Sequence, residues 1–138
     1  MDYVCDAPDD ETWFRIVTEA EAAAESAALA HAVEKHFRRE WERAAESFRP
    51  LTTVFIEQDI GKCDHIKRSM PLFLTLRNQD GEALVTAMLP PGGKPGGQCI
   101  LVGRANADPY PGHKAAIDAL GAHFGITLDR ASCYPYRR

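Results

Sequence analysis

Four side chains have the types and spacing to do chemistry together: Arg104, Tyr110, His113 and Lys114. An imidazole titrates near neutrality and a guanidinium offers a planar fork that fits a carboxylate or phosphate. The residues fall where a predicted strand gives way to a predicted helix, and a helix N-terminus adds free N–H groups and the positive end of a dipole. An anionic group held near Arg104 and His113 is the expected ligand. In a second reading His113 is a general acid or base, with Arg104 and Lys94 neutralising an anionic substrate. A purely architectural role is the competing view: Asp108 forms a turn, Pro109 and Pro111 stiffen it, and His113 caps the helix.

Other motifs fail on spacing. Residues 90–97 (PPGGKPGG) offer closely spaced N–H groups, but Pro95 follows Lys94 and a strand comes next, so the loop is not a phosphate-binding P-loop. His31 and His36, five apart, point roughly 140° away from each other around a helix and cannot share an ion. His113 and His123 are separated by about 15 Å along theirs. Cys63-Asp64-His65 is a single local cluster of donors, better explained as a polar loop, and neither metal nor cofactor is expected. No serine sits in a GxSxG elbow, and a pair such as Cys63 with His113 would have to be assembled from distant segments. Cys99 alternates with apolar neighbours in a predicted strand, which implies a buried, inert thiol.

Composition narrows the partners. A formal net charge of −4, with 12 acidic and 6 basic side chains within residues 1–50, leaves no basic footprint for nucleic acid. The tail from Tyr134 to Arg138, aromatic and basic, is expected to be docked or frayed. No run of apolar residues is long enough to span a bilayer, the N-terminus lacks the pattern of a secretory signal, and the four cysteines form no CxxC pair. A cytoplasmic location with reduced thiols, without nucleic-acid or membrane partners, is expected.

The elements that must position these groups suggest one α+β domain over residues 1–138, with residues 1–11 a flexible leader and 129–138 an irregular tail. Residues 12–17 read as a short strand. Thr18 and Glu21 form a capping box, so a helix should begin at Glu19. Without Gly or Pro before Pro50, it is predicted to run over residues 19–49, its stripe Leu29, Val33, Phe37, Trp41, Ala44 and Phe48 covering a sheet. Strands are predicted over 52–60, 72–78, 82–89 and 98–104, the middle pair joined by a tight turn at 78–81. A second, shorter helix is predicted over 112–124, and 126–128 as an edge strand. The expected fold is thus a long N-terminal helix on a four- to five-stranded, mainly antiparallel sheet. A helix of that length, about 45 Å, would overhang a domain of this size. Its alanine-rich first half should then serve as the surface of a homodimer, making the chain a non-catalytic binding or interaction module.

Overall fold

The computed structural model describes residues 1–51 and 53–135. The predicted α+β class is observed: among the described residues, four α-helices accompany one five-stranded antiparallel sheet whose strands lie side by side in chain order. Strand β1 (Asp2–Ala7) pairs with β2 (Glu11–Arg15), which pairs with β3 (Leu72–Arg77), then β4 (Ala83–Leu89), then β5 (Ile100–Val102). Residues expected to be a flexible leader are therefore the edge strand and its turn. Asp9 and Asp10 hold the left-handed conformation that turns the chain there, one that aspartate tolerates better than most residues.

Between β2 and β3 the chain makes an entirely helical excursion, and here the sequence-based expectation needs two corrections. The capping box is present, and helix α1 (Glu19–Leu29) begins where it predicts. The helix does not continue to residue 49. Ala30 adopts a left-handed conformation (φ 51°), at a cost of about 1–2 kcal/mol for a residue with a Cβ, and helix α2 (Val33–Glu46) starts anew. Side chains sustain the break: Ser26 Oγ accepts the Glu34 N–H at 2.9 Å, and His31 Nδ1 accepts the Val33 N–H at 3.4 Å. These bonds satisfy N–H groups that a restarting helix leaves free.

The second correction concerns the strand predicted over 52–60. Residue 52 lies outside the described residues, and Phe55–Ser69 is a helix, α3. Val54, Ile56 and Ile60 suggested a strand, but Glu57, Gln58, Lys62, Lys67 and Arg68 are good helix formers. Ile66 is buried at helical spacing from the exposed end, and Met70 follows at the C-cap.

The sheet is covered on both faces. Leu74, Leu76, Val85, Ala87, Leu89 and Leu101 pack with α4 (Tyr110–Phe124), the shorter C-terminal helix, through Ala116, Ile117 and Leu120. The opposite face sets Phe73 against Ala22, Phe37, Ile66 and Met70 from α1, α2 and α3. Burial on both faces explains why residues 72–76 are buried without alternation. The β3–β4 turn forms as predicted: Asn78 Oδ1 accepts the N–H groups of Asp80 and Glu82 at 3.0 and 2.9 Å, and Gly81 supplies a positive φ. The segment 126–128 forms no strand. Tyr134 instead makes an isolated parallel bridge to Ile100, while residues 136–138 of the expected tail lie outside the described residues.

Candidate functional site

Glu25 is an acid on the inward stripe of α1, between Ala22 and Leu29, and it is completely buried. Beneath it lie Thr75 and Thr86, directly opposite each other on β3 and β4. A buried carboxylate must be paired and hydrogen-bonded to be tolerated, and this one is. Its Oε1 accepts from Thr75 Oγ1 at 3.0 Å and from Arg77 Nη2 at 2.8 Å; its Oε2 accepts from Thr86 Oγ1 at 2.6 Å.

Thr86 extends the network outward. Because its one hydroxyl hydrogen is donated to Glu25, its oxygen, 2.8 Å from His31 Nε2, accepts from the imidazole. Nδ1 then serves as the acceptor for the Val33 N–H, so both contacts fit one neutral tautomer. Burial lowers the His31 pKa, while its own backbone and the charge of Glu25 act in the opposite sense. The helix break thus has a structural consequence. It takes His31 off a continuous helix face and sets its ring on the sheet.

His31 lies in the wall of a cleft of about 520 Å³ between the α1–α2 junction and the β4–β5 edge. Phe73, Met88, Ile100 and Val102 give it an apolar lining, and Gln98, Asn106 and Tyr134 add polar groups. His36 and Arg39, one turn apart on α2, contribute its basic side; Arg39 Nη2 donates to His36 Nδ1 at 3.2 Å. Partial burial lowers the His36 pKa, and the charges of Arg39 and Lys35 push it the same way. No carboxylate belongs to the lining among the described residues, although the chain as a whole is acidic. Glu25 stays behind Thr86.

Family models, curated proteins and solved structures give no match to this chain. Function must be read from the cleft itself. The volume falls within the range usual for small-molecule sites, as does an apolar lining with a few placed polar groups.

The residues singled out from sequence lie elsewhere and not all together. Tyr110 opens α4, is buried, and donates its hydroxyl to the Leu128 carbonyl at 2.9 Å; burial raises its pKa. Asp108 occupies the helix start, accepting the Tyr110 N–H at 3.0 Å through one oxygen and Arg130 Nε at 2.7 Å through the other. His113 is half-buried in the distorted first turn, and Lys114 pairs with Asp118 at 2.8 Å. Arg104 is exposed on a short 3-10 turn, Arg104–Asn106, that packs against α1 on the other side of the sheet. Lys94 is exposed beside the Pro91–Gly93 turn. Asn106 links the two descriptions, since it shares Arg104's turn and lines the cleft.

Among the described residues, no three His, Cys, Asp or Glu side chains converge as a metal site would require. Cys63 is exposed on α3, and His65 Nε2 is 2.7 Å from Ser47 Oγ. That pairing resembles a nucleophile and its base, but the Ser47 hydroxyl donates to the Ala44 carbonyl at 2.8 Å, which leaves His65 as the donor. No helix among the described residues is long and apolar enough to cross a membrane.

Sequence reasoning passed over Glu25, Thr86, Arg39 and the cleft role of His31 and His36. One signal was present: a lone acid at 25 on the same helical stripe as Ala22 and Leu29. A charge at a core position implies partners at core positions elsewhere.

Proposed function

We propose that this chain is a binding module that holds a small amphipathic anion in the cleft beside His31. The single observation that supports it most is the lining: an apolar floor, one arginine, two histidines and no carboxylate, in a chain of net charge −4. An acidic protein repels anions in general, so a lining without acids favours one locally; the nearest carboxylate on the basic side is Glu40, outside the lining, whose Oε1 lies 3.6 Å from Arg39 Nε. The apolar body would lie over Met88, Ile100 and Val102, and the charged head would face Arg39 and His36. Arg104 shares the turn that supplies Asn106 but is not itself part of the lining. The Glu25–Thr86–His31 chain acts as scaffolding, holding the His31 ring in one tautomer and one orientation.

The fluorescent anion 8-anilinonaphthalene-1-sulfonate is a direct probe, with octanoate as a competitor. Saturable binding of one probe per chain is expected. Arg39→Ala should weaken it about tenfold, the loss of one charge-assisted hydrogen bond. Val102→Trp should abolish it by filling the floor. Binding that ignores both substitutions would overturn the proposal.

We also propose that the module self-associates, through α3 and not through the alanine-rich α1. Helix α1, the alanine-rich half of the predicted 19–49 helix, lies on the sheet with Ala22, Glu25 and Leu29 buried, so it does not project as a continuous helix would. In contrast Leu51, Phe55, Ile56 and Ile60 are 103%, 80%, 72% and 59% exposed. Large apolar side chains gathered in this way mark interaction surfaces. Sedimentation over a range of concentrations should show a dimer that Phe55→Glu with Ile60→Lys converts to a monomer. A monomer at every concentration in the unmodified protein would refute it. The cytoplasm remains the compartment we propose, on the four free cysteines.

A further inference from the structure

Cys99 and Cys133 are remote in sequence and adjacent in the fold. Cys99 immediately precedes β5, and Cys133 follows the Arg130–Ser132 turn. Their segments are joined by backbone bonds: the Tyr134 N–H donates to the Cys99 carbonyl at 2.8 Å, and the Leu101 N–H donates to the Tyr134 carbonyl at 3.2 Å. Ile100 and Tyr134 are parallel partners, a register that places Cys99 opposite Cys133. Neighbouring strands lie about 4.7–4.9 Å apart, inside the Cα separation of about 4.4–6.8 Å that a disulfide spans. Both thiols are free, Cys133 fully buried and Cys99 partly accessible, whereas Cys5 and Cys63 sit on β1 and α3.

We propose that Cys99 and Cys133 form a site of reversible oxidation, closing a disulfide that locks the 133–135 segment onto β5. Accessibility makes Cys99 the point of entry. Its thiolate attacks a low-molecular-weight disulfide such as oxidised glutathione, forming a mixed disulfide and expelling one thiolate. The Cys133 thiolate then attacks the Cys99 sulfur and expels the second. The protein loses two protons and two electrons, and the glutathione disulfide gains them as two thiols. Burial and the neighbouring Cys133 push the Cys99 thiol up, so the attacking thiolate is scarce near neutrality and the rate should climb with pH. A disulfide of this kind in a reducing compartment is transient and regulatory. The locked segment contributes Tyr134 and Pro135 to the cleft wall, although the oxidation itself does not depend on what the cleft binds.

The test incubates the native full-length chain in glutathione redox buffers, blocks unreacted thiols by alkylation, and maps peptides by mass. The expected product is a Cys99–Cys133 crosslink within one chain, with no disulfide between chains, two thiols lost, faster formation at higher pH, and full reversal by dithiothreitol. Cys99→Ser should leave Cys133 reduced, while Cys63→Ser should leave the crosslink intact. Glutathione carried only on Cys5 or Cys63, with Cys99 and Cys133 still alkylated in buffers that oxidise an ordinary dithiol, would overturn the proposal. Should Cys99→Ser fail to fold, the unmodified chain and Cys63→Ser decide the question alone.

Discussion

Replacing Glu25 with alanine is expected to lower the free energy of unfolding by about 3–5 kcal/mol, the usual cost of removing one partner from a buried ion pair. Three donors converge on its carboxylate at 2.6–3.0 Å, and it has no exposed surface. Without it, the hydroxyls of Thr75 and Thr86 lose an acceptor between two closed layers. Arg77 is better placed to adapt, because its side chain is 19% exposed and Nη1 already donates to the Gly81 carbonyl at 3.0 Å. Glu25→Gln keeps the volume but not the charge, and should cost less, about 1–3 kcal/mol. Glu34→Ala on α2 is the control: its pairing with Arg38 is exposed and such pairs contribute about 0–1 kcal/mol. Urea unfolding curves would give all three. A loss in Glu25→Ala no larger than in the control would mean that the carboxylate is not held as described. Because Thr86 also anchors His31, the same substitution should weaken probe binding in protein that is still folded.

The parts of the fold that were legible in sequence are those decided locally. Thr18 and Glu21 can form a capping box with no help from the rest of the chain, and Asn78 and Gly81 suffice to turn β3 into β4. Helix α4 was legible from Ala116, Ile117 and Leu120 at helical spacing. The break at Ala30 was not, because nothing between residues 19 and 49 disfavours a helix. It exists through Ser26 and His31, one capping the next helix and the other reaching across 55 positions to Thr86. Helix α3 was obscured by the apolar side chains that leave its first half exposed, since they supplied a β-like pattern where burial was absent. The cleft was illegible for a related reason. Its lining comes from the α1–α2 junction, α2, three strands and the C-terminal segment, and only the tertiary fold brings Arg39 and Val102 into one cleft. By contrast the junction around Arg104 and His113 stood out because its residues are close in sequence. Asp108, in the same stretch, occupies the helix start on which that reading relied.

Trp13→Ala should be as damaging as the loss of Glu25, at about 3–5 kcal/mol, but from the other side of the sheet. Its side chain is fully buried in β2 between the partner positions Cys5 and Leu76, and its indole N–H donates to the Ala116 carbonyl of α4 at 2.8 Å. Truncation therefore empties a large volume and removes the polar tie between sheet and helix in one step. Trp13→Phe restores most of the volume without the donor, so it should recover more than half of the loss. Against a total stability of about 5–15 kcal/mol for a domain of ordinary size, the alanine variant would melt well below the parent protein. It also carries a built-in reporter. The chain has two tryptophans, one on each side of the sheet, so Trp13→Ala leaves Trp41, beside Phe37 on α2, as the sole indole. If the two cores unfold as one unit, Trp41 fluorescence and far-ultraviolet circular dichroism must give the same midpoint. Residues 72–76 belong to both cores, with Leu72, Leu74 and Leu76 in one and Phe73 in the other. A separation of the midpoints would mean that the layer carrying His31 and Arg39 holds without α4. Coincidence would mean that the cleft depends on a tryptophan on the far side of the sheet.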